Sequence, residues 1–143
     1  MFGYLSEMYH KYMNKKEEFY YLSLIKEDDG SFSIHGLWPQ DSLNSYPSFC
    51  RSVNFNLDKL EPIIVQLNNY WYSNKGSNDT FWKHEYEKHG SCMFDSMNEF
   101  NYFNKTIELY KYALINNIIK KYSDKYPNDK KLLIPLDLDF NFI

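Results

Sequence analysis

The chain has 143 residues, 20% of them aromatic, and a formal net charge of -3. That length suits one domain with its own core, over 1-143. The charge excludes a generally basic nucleic-acid binder, so any polyanion site must be a local pocket of His and Lys, and no apolar run is long enough to cross a membrane.

Met1 to His10 has no continuous apolar stretch and carries Glu7, so no signal peptide is visible. Leu5, Met8, Tyr9, Tyr12 and Met13 have helical spacing, which predicts a short N-terminal helix within residues 1-18. His10 has no chemical company and reads as surface. Phe19 to Lys26 reads as a strand, Asp28-Asp29-Gly30 as a turn, and Ser31 to Gly36 as a second strand, together a hairpin. On the second strand Phe32 and Ile34 face one way, and His35 faces the other, near the strand end.

Asn44 to Phe55 reads as a loop. Leu57, Leu60, Ile64, Leu67 and Trp71 mark an amphipathic helix, with Pro62 tolerable in a first turn. Tyr72 to Thr80 is a polar loop, and Phe81 to His89 a short helix stopped by Gly90. Ser96 and Glu99 suggest a capping box. Phe100, Phe103, Ile107, Tyr110, Leu114 and Ile118 predict one long helix, broken at Pro127 to Lys131. Leu136, Leu138, Phe140 and Phe142 alternate with Asp137, Asp139 and Asn141, a strand pattern. Trp71 and Trp82 have core spacing. Glu87 and Lys120, Lys121, Lys125, Lys130 and Lys131 read as solvated surface. The sequons at Asn78 and Asn104 read as coincidence in an Asn-rich chain.

Two segments concentrate the chemistry. Ser33-Ile34-His35-Gly36-Leu37-Trp38-Pro39 and Phe81 to Cys92 hold three of the four histidines and two of the three tryptophans. With His84 at the origin of a helix turning about 100° per residue, Lys88 lies near ~40°, Glu85 near ~100° and His89 near ~140°. One arc therefore carries two imidazoles, an ammonium and a carboxylate. The i, i+5 spacing of His84 and His89 fits a shared zinc ion poorly, although His35 could add a third ligand. The other reading is cleavage of RNA. Attack of a 2′-OH on the neighbouring phosphate needs a general base, a general acid and positive charge for the phosphorane. His35 and His89 are the natural acid and base pair, and His84 and Lys88 can hold the phosphate. Glu85 can orient an imidazole or bond a phosphate oxygen. A bell-shaped pH profile centred near the histidine pKa is the expectation. Cys50 and Cys92 flank these segments. They are either free thiols or a bridge that ties the segments together.

The segments Ile34-His35-Gly36-Leu37-Trp38-Pro39 and Phe81-Trp82-x-His84-Glu85-x-x-Lys88-His89-Gly90-x-Cys92 resemble the ribonuclease T2 family, over roughly residues 19 to 115. The resemblance implies an α+β fold, a mostly antiparallel sheet packed on helices. It implies metal-independent cleavage of single-stranded RNA through a 2′,3′-cyclic phosphate, without a cofactor. His89 would be the base and His35 the acid. His84 would bind phosphate, and Glu85 with Lys88 would stabilise the pentacovalent state. Trp38 and Tyr46 would sandwich the base 5′ to the scissile bond, Phe81 would serve a second base, and Cys50 and Cys92 would be bridged. Trp38 taken alone reads as core, and its loop context makes base stacking an equal reading. Gln40 stands where many members carry an acidic residue, which leaves base preference open. The family's Gln-Trp-Pro segment and several of its cysteines are absent, and its C-terminal strands are missing or reduced to Leu136 to Phe142. No membrane and no obligate protein partner are expected, and the chain is read as a monomer. The family is mostly secreted, vacuolar or lysosomal. The alternative is a catalytically weak RNA-binding protein that keeps the pocket.

Overall fold

The computed structural model describes residues 18-143. The expected helix on Leu5, Met8, Tyr9, Tyr12 and Met13, and His10, lie outside the described residues. The fold is α+β, with a three-stranded antiparallel sheet in the order Phe32–Gln40, Phe19–Lys26, Lys131–Leu136. β1 (Phe19–Lys26) is nearly all apolar because, as the central strand, it is buried on both faces. Tyr20, Leu22 and Leu24 face the helices, in one cluster with Ile34, Leu37, Leu132 and Ile134. Phe19 and Tyr21 face the other way and join Leu43 and Leu133, with Trp38 packed against them.

β2 (Phe32–Gln40) runs through Leu37-Trp38-Pro39, further than the expected end at Gly36. Its pairing with β1 slips once: Ser23 faces Gly36, but Leu24 faces Ile34, which leaves His35 as the extra residue of a β-bulge. In a regular strand, residues three apart lie on opposite faces. The bulge resets that parity. Ile34 and Leu37 both enter the core, while His35 and Trp38 both line a cavity on the other side.

The expected helix from Leu57 forms in two parts, a 3-10 segment Leu57–Ile63 and then α1 (Ile64–Tyr70). Pro62 lies inside the first part. It has no N–H to donate, and its ring clashes with the carbonyl four residues back, so an α-helical run cannot continue through it. α2 (Asn78–Lys88) begins three residues before the expected Phe81, and Trp82 is core, its Nε1–H donating to the Trp71 carbonyl at 2.6 Å. Gly90 is not a left-handed stop: Gly30 is the glycine with positive φ among the described residues. Gly90 is required because a Cβ there would meet Tyr86 Cδ1 at 2.6 Å and the Tyr102 ring at 3.3 Å. It opens a 3-10 turn, Gly90–Cys92, that carries Cys92 to Cys50, and the two are disulfide-bonded. The closed loop, with a sequence separation of 42, restricts the unfolded chain by roughly 4 kcal/mol.

The capping box on Ser96 and Glu99 does not form. Asn98 caps α3 (Glu99–Ile115), accepting from Asn101 N–H at 2.8 Å, while Glu99 Oε1 accepts from Asn56 N–H at 2.7 Å. The expected single long helix is interrupted by Asn117 in the left-handed region (φ 60°), a conformation Asn tolerates, and α4 (Ile118–Lys125) follows. Leu114, near the end of α3, is exposed. The last strand is β3 (Lys131–Leu136), upstream of the expected alternation. Asp137 Oδ1 accepts from Asp139 N–H and Asn141 N–H, folding Leu136 to Phe142 into a turn with one isolated bridge between those two residues.

Candidate active site

The bulged end of β2, the inward arc of α2 and the loop after β2 enclose a cavity of about 410 Å³. β2 contributes His35, Trp38 and Gln40. α2 and the residue after it contribute Phe81, His84, Glu85, Lys88 and His89, as the helical arc predicted. Tyr46 comes from the loop, half of its surface exposed. All nine side chains singled out from the sequence therefore line one cavity. The disulfide anchors the loop beside the end of α2.

Trp38 joins the parts. Its Nε1–H donates to Glu85 Oε1 at 2.9 Å, and its ring stacks on His89 with centroids 4.9 Å apart and planes 23° apart. The His35 ring meets it edge-on at 4.9 Å. His35 Nε2 lies 3.9 Å from Glu85 Oε2. Tyr46 leans on the His89 ring at 5.8 Å, and Lys88 Nζ lies 5.6 Å from the centre of the Tyr46 ring. Phe81 is 5.8 Å from His35. The buried Nδ1 atoms of His35 and His89 have no hydrogen-bond partner. Gln40 is buried, and its amide N–H groups donate to the carbonyls of Ser42 (3.3 Å) and Ser45 (3.4 Å). Its side chain thus secures the loop that carries Tyr46, leaving Oε1 for any ligand.

Burial sets the protonation states. It holds His35 well below its ordinary 6.5, at about 4, and the charges of Lys131, His84 and Lys88 add to the effect. His89 is lowered to about 3, by burial first and then by Lys88, His35 and His84. Burial pushes Glu85 up to about 7, against the opposing pull of the Trp38 hydrogen bond and Lys88. In the free site at neutral pH both imidazoles are therefore uncharged. An anion between them would favour their protonated forms. Among the described residues no three His, Cys, Asp or Glu side chains are grouped to hold a metal ion.

Gly36 makes the central contact possible. A Cβ there would overlap Glu85 Oε1 and approach Trp38 Nε1 to 2.6 Å. Gly36→Ala is therefore expected to part Trp38 from Glu85 and to cost about 1–3 kcal/mol of stability. A thermal melt beside wild type checks this. An unchanged melting temperature would show that the strand end yields freely to the added methyl.

Tyr21, Leu43, Asn44 and Leu133 also line the cavity and were not singled out from the sequence. Tyr21 pairs with Trp38 across the strands, so it was accessible from strand register. Leu133 and the nearby charge of Lys131 depended on placing β3 correctly.

A family model described as the Ribonuclease T2 family matches residues 4–133. Ribonuclease DdI of Dictyostelium discoideum is 38% identical over 110 residues, which is 76% of this chain and 49% of that protein. Ribonuclease T2 of Homo sapiens is 34% identical over 96 residues, 63% of this chain and 36% of that protein. The chain thus spans about half or less of the length of these curated relatives. Among solved structures, trichomaglin, described as a novel S-like ribonuclease, superposes with a TM-score of 0.68 at 22% identity, covering 88% of this chain and 90% of that one. Ribonuclease MC1 from bitter gourd seeds gives 0.66 at 21% identity, covering 87% and 91%. Both likenesses bear on the fold.

Proposed function

The chain belongs to the ribonuclease T2 family, and on that premise we propose that it is an endoribonuclease cutting single-stranded RNA by metal-independent transphosphorylation. His89 Nε2 removes the proton of a ribose 2′-OH. The 2′-oxygen attacks the adjacent phosphorus, and the bond from phosphorus to the 5′-oxygen breaks as His35 supplies a proton to that oxygen. The product is a 2′,3′-cyclic phosphate. In the second step His35 takes a proton from water, the hydroxide adds to phosphorus, and His89 returns a proton to the 2′-oxygen. His84 and Lys88 neutralise the phosphate. Glu85, with its raised pKa, is protonated in mild acid and can donate to a phosphoryl oxygen.

Tyr46 offers the open ring for the base 5′ to the cut, since Trp38 already commits its N–H to Glu85 and a face to His89. Phe81 serves the second base. Gln40 acts by holding the Tyr46 loop. Stacking of this kind accepts many sequences.

One observation carries this reading: His35 on a strand bulge and His89 at a helix end reach one cavity, linked through Trp38 and Glu85. A pure RNA binder would not need two uncharged imidazoles beside a carboxyl. The test is incubation of the folded chain with single-stranded RNA, and with DNA of the same sequence, in excess EDTA. RNA fragments ending in cyclic phosphate, with DNA intact, are expected. RNA binding without cleavage would leave the binding protein as the better account.

A further inference from the structure

Phe49 lies outside the cavity wall just described and is the most unusual aromatic near it. Its φ is 50°, in the left-handed region that bulky side chains rarely adopt, and its ring is 59% exposed. A strained backbone that holds an aromatic ring in water points to a role for the ring. The position is well fixed. Phe49 N–H donates to the Lys88 carbonyl at 2.9 Å, and the next residue, Cys50, is bonded to Cys92 and donates its N–H to Ser91 Oγ at 3.0 Å.

The Phe49 ring meets His84 edge-on, with centroids 6.3 Å apart. It also forms a wall of a shallow hollow of about 280 Å³, with Arg51, Ser52, Val53 and Glu87. We infer that Phe49 is a stacking platform for the base of one further nucleotide of single-stranded RNA, beyond the cleaved step and on the His84 side of the cavity. The inference rests on the ribonuclease reading above. A single strand carries a base beside each phosphate, so a ring against a phosphate-holding imidazole is placed for the neighbouring base. Glu87 in the hollow offers an acceptor for amino or hydroxyl groups, and Arg51, whose Nη2 donates to the Met97 carbonyl at 3.0 Å, sets a positive charge beside it. The hollow therefore suits a nucleotide with its base on Phe49 and a polar edge on Glu87. Stacking on an isolated ring is sequence-tolerant.

The test compares a dinucleoside phosphate with a hexanucleotide of the same central step whose other sugars are 2′-deoxy. Wild type is expected to cut the hexanucleotide with the higher kcat/KM. Phe49→Ala should lower that value about tenfold, mainly through KM, and leave the dinucleoside phosphate unchanged, while Phe49→Trp should restore it. Phe49→Gly relaxes the backbone, so it should melt no lower than Phe49→Ala and yet show the same loss. Equal losses on both substrates, or no loss on the hexanucleotide, would overturn the inference and leave the ribonuclease reading standing. If wild type cuts neither substrate, the ribonuclease reading fails and takes the inference with it.

Discussion

Alanine at His35 or at His89 is expected to lower kcat/KM on single-stranded RNA by about 10³-fold or more. Each positioned proton-transfer group contributes on the order of 10²–10⁴. The two losses should not multiply in the double variant, because removing either group already ends concerted transfer. Folding should survive. His89 is buried and His35 partly so, each with a buried, unpartnered Nδ1, so removal of either ring relieves a desolvation cost while it leaves a small void. Melting temperatures within a few degrees of wild type would confirm that chemistry, not structure, was lost. His84→Ala, by contrast, removes the exposed imidazole proposed to hold the phosphate and should raise KM more than it lowers kcat. Turnover of a defined oligonucleotide by the three variants separates these roles. A His35→Ala enzyme with near-normal kcat would remove His35 as the acid.

Activity should peak below about pH 5 and fall roughly tenfold per unit above the pKa of the acid. Sequence alone placed the profile near the ordinary histidine value; the buried, cationic surroundings move it down. In kcat/KM the groups of the free enzyme are read. On the proposed mechanism the falling limb is that of His35, held at about 4, and the rising limb that of His89, held at about 3. Lys131 is exposed on β3 and is the largest of the charges that lower His35. Lys131→Gln should therefore carry the falling limb to higher pH without loss of stability. Stability runs opposite to activity. The unfolded chain takes up these two protons near pH 6.5, whereas the folded chain does so only near 4 and 3, so stability falls as pH drops through that interval. Glu85 opposes this in part, since its raised pKa favours the fold below pH 7. A pH series of kcat/KM beside thermal melts checks both trends. A falling limb near pH 8 in wild type would contradict the burial of His35.

The two segments that line the cavity were legible because residue identity and spacing act locally. The helical arc on α2 brought His84, Glu85, Lys88 and His89 to one side from angles alone, and the hairpin of β1 and β2 followed from its turn. The bulge at His35 was not legible, because it exists only in the register with β1. Neither was the indole bond from Trp38 to Glu85, which joins residues 47 apart in sequence. β3 escaped because Lys-Leu-Leu-Ile-Pro-Leu does not alternate and holds a proline, which suits an edge strand. Downstream, Asp137 captured two backbone N–H groups and overrode a good alternating pattern. Gly90 was noticed for the wrong reason: the Tyr86 and Tyr102 rings, not a positive φ, demand it.

The most direct measurement follows the first product formed from a dinucleoside phosphate at acid pH in excess chelator, by phosphorus NMR. The account predicts that a 2′,3′-cyclic phosphate accumulates ahead of the 3′-monophosphate, and that neither forms with His35→Ala or His89→Ala. A monophosphate released with no cyclic precursor, or turnover that stops with chelator, would contradict the two-histidine mechanism.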